Sequence, residues 1–320
     1  MSTYKTKGII IRRNDFGESS LILSIYTEDY GRIEAVARSA RKAKGKLKGH
    51  LELFLLVELM LARGRNIDTI TSSLTIESFA ALRNNLELSF AAYYILELLW
   101  RMTAEGYKDK RVFYLAKETL MFLDKLAREA QVSQKRVADL SLGEICRRSQ
   151  DFQGKNSGKK SDNGKVHFSP AAGALNAPKH YLALLFFQIN ILDLVGFSPE
   201  IRGCVFCAGP LKENSSRFSF ARGGLLCRKC SERDIEAVPV EGNAIKLFRL
   251  LQIEEKNEKE YILPAKERFE MVEKLVVKKR LAEDAVFLLN RFIEFNIEGR
   301  IKAADFLRFC VEKPKNAVDD

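Results

Sequence analysis

Through residue 77 apolar positions recur mostly with a period of two, the spacing of strands with one buried face. Lys7 to Arg13 carries the run Gly8-Ile9-Ile10-Ile11, and Ser20 to Thr27 is rich in Leu and Ile. Tyr30-Gly31 punctuates. Beyond it Ile33, Ala35 and Ala37 share one side while Glu34 and Arg38 share the other. From Leu51 to Ala62 every odd position is apolar, with Glu52 and Glu58 opposite, which predicts one long strand. Arg63-Gly64-Arg65-Asn66 reads as a turn and Ile67 to Thr71 as a last strand. Four or five strands in about 75 residues predict a small antiparallel barrel.

At Ser78 the period changes to three and four. Phe79, Leu82, Leu86, Phe90, Tyr93, Leu96 and Trp100 predict one long amphipathic helix. Phe113 to Ala127 predicts a second and Gln134 to Ser149 a third. The polar stretch Gly154 to Lys165 reads as a disordered loop, without the glycine spacing or the Ser/Thr of a phosphate loop. Tyr181 to Val195 is apolar nearly all round, so that helix should lie at the centre of a helical domain. Further helices are expected at Asn243 to Gln252, Glu267 to Lys279, Glu283 to Glu298 and Lys302 to Val311, with a frayed tail after Pro314. The implied division is 1–77 barrel, 78–200 and 239–314 helical, 201–238 a separate module, and 315–320 tail.

That module is marked by cysteines. Of the six in the chain, four form the pairs Cys204-x-x-Cys207 and Cys227-x-x-Cys230, separated by 19 residues. Each turn presents two thiolates, and the intervening residues suffice for a hairpin that brings the pairs together. Phe218 and Phe220 alternate with polar neighbours, and Gly223-Gly224 supplies the turn. The pattern points to a tetrahedral Cys₄ zinc site with a structural role, since four thiolates leave no open position for water. A dithiol redox pair is the alternative. Cys146 and Cys310 lie in apolar helical contexts and read as buried small side chains.

Composition changes the picture in one respect. The chain of 320 residues has 46% hydrophobic and 30% charged residues, enough for globular cores in two or three domains. Its 53 Lys and Arg against 42 Asp and Glu leave a net charge of +11, which favours a polyanionic partner. Arg38, Arg41, Lys42, Lys44, Lys46 and Lys48 put six basic residues in eleven, among small residues and without an acid. Such a loop between barrel strands suits a nucleic-acid backbone. Nucleotide-loop, zinc-protease and serine-hydrolase motifs are absent, and His50, His167 and His180 have no assignable partner, so no enzyme is expected. Glu294, Glu298 and Arg291 read as a solvated helix face. No apolar run reaches the ~18 residues of a membrane span, and Met1 to Gly17 lacks a signal-peptide pattern, so the expected location is cytoplasmic.

The order of these features resembles the RecO family of bacterial recombination mediators. The resemblance rests on Lys5-Thr-Lys-Gly-Ile-Ile-Ile11, Gly17-Glu-Ser-Ser-Leu-Ile-Leu-Ser-Ile-Tyr-Thr27, Tyr30-Gly-Arg32, Ala35-Val-Ala-Arg-Ser-Ala-Arg41 and Leu51-Glu-Leu-Phe54. It continues through Ala92-Tyr-Tyr-Ile-Leu-Glu97, Leu194-Val-Gly-Phe-Ser-Pro199, the cysteine pairs, Ile297-Glu-Gly-Arg-Ile-Lys302 and Phe306-Leu307. Ser39, Leu53 and Ala303 depart from residues common in the family, and Gly154–Lys165 and Glu254–Lys279 look like insertions. The resemblance implies an α+β multidomain chain with an N-terminal OB-fold barrel, a helical domain and an embedded zinc module. It further implies a non-catalytic, nucleoid-associated mediator that binds single- and double-stranded DNA and anneals strands coated by the single-strand-binding protein SSB. With RecR such a protein assists RecA loading. Arg38, Arg41 and Lys42 above all would touch DNA, and the helical domain, with its larger apolar surface, would receive SSB and RecR. The rivals are a zinc-containing RNA or ribosome factor and a non-catalytic interaction scaffold.

Overall fold

The computed structural model describes residues 2–41, 47, 49–151, 177–211, 216–253, 267 and 269–311, with the backbone alone for 135–151 and 308–311. Five strands, β1 (Thr3–Phe16), β2 (Ser20–Thr27), β3 (Gly31–Ala37), β4 (Leu56–Ala62) and β5 (Asp68–Glu77), form a closed barrel in the order β1-β2-β3-β5-β4. β1 closes the ring because it is long enough to pair with β4 through Thr3–Ile9 and with β2 through Gly8–Phe16, across a register shift between Ile10 and Arg12. β3 and β5 meet in a short parallel pairing. This is the OB-fold arrangement.

The run Ile9-Ile10-Ile11 breaks strict alternation for a packing reason. Ile10 fills the barrel interior with Leu23, Ile25, Val57, Leu59 and Leu61. Ile9 and Ile11 point outward, but into the main core shared with the helices. One barrel wall is thus buried on both faces. Tyr26 on that wall is fully buried and donates to the carbonyl of Asp109, and Arg32 donates to the carbonyl of Trp100. Gly31 sits at φ +66, where a Cβ would lie 1.9 Å from the Tyr107 carbonyl oxygen, so only glycine allows this approach.

The strand predicted from Leu51 begins only at Leu56. Phe54 adopts φ 69 and turns the chain, its N–H donating to the Ile10 carbonyl while Ile10 donates to Leu55. Leu51 and Leu55 still reach the barrel interior, so the period of two was right about burial and wrong about backbone.

Helices follow: α1 (Ala80–Arg83), α2 (Leu86–Met102), α3 (Lys110–Asp151) and α4 (Lys179–Leu194). The single helix expected from residue 78 is broken at Asn84-Asn85. The Asn85 side chain accepts from the Leu88 N–H and caps α2, a role short polar side chains take at helix starts. Conversely, the two helices expected over 113–149 are one continuous α3. α4 is the centre of the main core, as its all-round apolarity predicts, and Gly196 at φ 84 ends it while Phe197 donates back to Leu192. The disordered loop expected at Gly154–Lys165 lies outside the described residues.

The small sheet β6 (Arg217–Ser219), β7 (Gly224–Leu226) and β8 (Val238–Pro239), with the short α5 (Arg228–Ser231), forms the cysteine module. α6 (Gly242–Leu251), α7 (Lys279–Asn296) and α8 (Lys302–Val311) complete the helical part. The helix expected over 267–279 is helical at 269–274 and has ended by 275, before α7 starts. The tail after Pro314 is outside the described residues. Among the described residues no helix is long and apolar enough to cross a membrane.

A buried polar cluster ties three helices together. Gln188 on α4 donates to the Tyr94 hydroxyl at 2.6 Å, and Tyr94 on α2 donates to Asn290 of α7 at 2.9 Å. Burial pushes the Tyr94 phenol far above its ordinary pKa, so it stays a neutral donor. Glu97 of α2 accepts from the N–H groups of Lys302 and Ala303 and so caps α8. Glu294, expected on a solvated face, instead accepts from the Ile301 N–H, and Arg291 lies over the Phe220 ring at 4.8 Å.

Candidate nucleic-acid interface and metal centre

The four predicted cysteines converge. Their sulfur atoms all lie within 4.8 Å of one another, and Cys207 and Cys227 are 3.9 Å apart. A tetrahedron of ~2.3 Å zinc–sulfur bonds has edges of about 3.8 Å, so this set fits such an ion. Local backbone bonds shape it. Cys204 N–H donates to Gly209, Ala208 N–H donates to Cys204, and the Cys227 N–H points at the Cys204 sulfur at 3.4 Å. β6 and β7 form the predicted hairpin, with Gly223 at φ 68 in its turn, and Cys227 opens α5.

The thiols are not equivalent. Burial opposes ionisation of Cys204, but hydrogen bonds from the backbones of Cys227, Cys207 and Phe206 outweigh it and bring the thiol down to about 6. Burial and the thiol hydrogen bonds of Cys227, Cys207 and Cys204 push Cys230 up to about 12. Four adjacent thiolates need a cation to compensate them, and the arrangement can hold a metal ion there. The side chains of Cys146 and Cys310 are outside the described residues.

The predicted basic segment follows β3. Arg38 and Arg41 are both exposed. Between them Ser39 turns the chain at φ 56, in the left-handed region, and Ala40 anchors the turn in the barrel core. Arg41 pairs with Asp15 of β1 at 3.2 Å, and its N–H donates to Ser19, whereas Arg38 has no carboxylate partner among the described residues. Lys42, Lys44, Lys46 and Lys48 lie outside the described residues.

One arrangement escapes sequence reading. Arg12 of β1 lies 4.3 Å over the Trp100 ring of α2, at the edge of a groove of about 560 Å³ that also includes Phe90, Tyr93 and Phe306. The helical period marked Trp100 only as apolar, and nothing local links it to β1. Of the histidines, His50 bonds Thr75 through Nδ1, and His180 is buried with its Nε2 3.4 Å from Glu87. His167 is outside the described residues.

Two family models match this chain. Residues 1–79 match the family described as Recombination protein O N terminal, and residues 173–305 match Recombination protein O C terminal. A curated relative named DNA repair protein RecO, from Dehalococcoides mccartyi, is 30% identical over 304 residues, covering 95% of this chain and 94% of the relative. The chain belongs to the RecO family. A RecO protein from a second strain of that species is 32% identical over 249 residues, 78% of each chain, and one from a Roseiflexus species is 34% identical over 78% of this chain and 70% of the relative. The RecO family is one of DNA repair and recombination. Two stretches that carried the resemblance, Ala92–Glu97 and Ile297–Lys302, meet in the fold where Glu97 caps α8.

Proposed function

We propose that this protein is a recombination mediator that binds single- and double-stranded DNA and anneals complementary strands, including strands coated by SSB. The observation that carries the reading is a closed OB-type barrel whose β3 runs into the basic segment Arg38, Arg41, Lys42, Lys44, Lys46 and Lys48. Coated strands repel each other, and cations on the barrel lower that repulsion by replacing condensed counterions. If about six phosphates are engaged, log K falls with log salt with a slope of roughly −4 to −5 for single strands. No substrate is turned over. Structural zinc, held by Cys204, Cys207, Cys227 and Cys230, would cross-link the module and leave no position for catalytic water. The working division is 1–77 for DNA, 78–200 with 239–314 as the platform for RecR and SSB, and 201–238 for zinc. RecA loading is then an indirect consequence in a cytoplasmic, nucleoid-associated complex.

The test is annealing of two complementary oligonucleotides pre-coated with cognate SSB, without ATP. Acceleration is expected, and further gain with RecR. No acceleration by folded, zinc-loaded protein overturns the mediator reading. Preference for RNA over DNA of equal length would then favour an RNA or ribosome factor, and negligible affinity for either at about 0.1 M salt a pure scaffold.

A further inference from the structure

The cysteine module carries a surface that metal binding does not use. Phe206, inside the first Cys-x-x-Cys turn, is 44% exposed. Two guanidinium groups converge on its ring, Arg222 at 4.9 Å and Arg233 at 5.1 Å from the centre. Arg222 comes from the β6–β7 turn and Arg233 from the chain just beyond α5. Arg228 and Lys229 are exposed on α5 itself. None of these four cationic side chains has a carboxylate partner among the described residues. Of the nearby acids, Asp234 is occupied by Ser219 and the Glu236 N–H, while Glu232 and Glu236 are exposed.

Two cations gathered on one small ring repel each other, and the ring's negative face compensates this only in part. An anion across their outward N–H edges would relieve the repulsion, and guanidinium takes phosphate oxygens in bidentate fashion. The same planar groups, with the exposed ring, offer stacking faces for unpaired bases. Phosphates and free base faces occur together in single-stranded nucleic acid. A duplex hides its base faces, and an acidic peptide leaves the stacking faces unused.

We propose that Phe206, Arg222 and Arg233, with Arg228 and Lys229, form a second single-strand DNA contact, on a different module from the barrel segment. The inference rests on the DNA-binding reading above and adds a consequence to it. A molecule with two strand sites holds two strands at once, so pairing proceeds at the high effective concentration of a tethered reaction.

The experiment uses full-length protein with its zinc content measured. Oligonucleotides of about ten nucleotides, within the usual span of one barrel site, are titrated at concentrations far above Kd to count strands bound per monomer. Wild type should bind two. The double variant Arg222→Gln/Arg233→Gln alters exposed side chains, so zinc content and melting should be unchanged while the count drops to one. At concentrations raised far enough to refill the weakened site, the salt slope of second-strand binding should be flatter by about 1.4 for two lost phosphate contacts. Annealing should slow about a hundredfold, the lower end of what tethering contributes. Phe206→Leu should weaken binding while leaving the salt slope in place. Arg38→Gln/Arg41→Gln should instead weaken binding of the other strand, with the Arg222/Arg233 contact kept. If wild type binds strands and the Arg222/Arg233 variant keeps the same count, slope and annealing rate, this inference falls alone. If wild type binds no strand, the DNA reading falls and takes the inference with it.

Discussion

The barrel and the cysteine module are both small β units, yet they are held in opposite ways. The barrel closes its hydrogen-bonded ring, leaves no open edge and fills its interior with fully buried Ile10, Leu23, Ile25, Val57, Leu59 and Leu61. The module has strands of two or three residues, and its own core is little more than Cys204, Leu226 and Ala237. Phe218 and Leu225 on its inner face belong instead to the helical core. A unit so small does not bury enough to fix its own turns, and the four converging thiols offer the means, because a metal ion held among them would cross-link those turns. The lesson is that the barrel has the length for hydrophobic closure, while the module has in its place four thiols arranged as a metal would need them.

The largest effect that could break this contrast is loss of the proposed ion. Cys204→Ser, or a strong chelator, should abolish zinc retention and open residues 201–238 to proteolysis, while the barrel keeps its protection in hydrogen exchange. Barrel amides that lose protection together with the module would show that the two are one cooperative unit.

A paired substitution sharpens the separation. Gly31→Ala sets a Cβ into the Tyr107 carbonyl at φ +66, which should cost on the order of 3 kcal/mol from left-handed strain plus overpacking, with zinc untouched. Gly224→Ala sets a Cβ 2.6 Å from the Glu200 carbonyl oxygen and should instead weaken zinc retention. Denaturant titration with zinc analysis reads both, and crossed effects would end the distinction.

On the metal-independent side, Tyr94→Phe leaves Asn290 and Gln188 buried without their shared partner, for about 1–3 kcal/mol in a melt. The smallest effect is a pH dependence. Burial, reinforced by the nearby Lys279 charge, lowers His180 from 6.5 to about 4. The unfolded chain therefore takes up a proton near 6.5 that the folded one refuses until about 4. Stability falls as pH drops through that window, by about 1 kcal/mol between pH 7.5 and 5.5. The half-exposed Glu87 carboxylate beside the ring favours the charged form and makes the loss smaller. His180→Gln should remove this part of the slope in denaturant titrations at the two pH values.

Much of the architecture was legible because it depends on short spacings. The cysteine pairs, the hairpin between them and the all-apolar α4 each follow from local period, and the fold realises each one. Helix and strand limits were less so. At Phe54 the apolar period continues although the backbone turns, because burial and strand pairing part company there. At Asn84-Asn85 the helical period continues across a break that a side-chain cap makes.

The amino-acid sequence by itself determined that there would be a barrel, a helical core and a four-thiol centre, since period and spacing record what nearby residues must do. Only the tertiary structure decided which distant groups meet. It brought Glu97 to the start of α8, Arg12 onto Trp100, and Arg222 and Arg233 onto Phe206. Those contacts join segments up to about two hundred residues apart, and no local pattern encodes a partner that only packing of the whole chain delivers.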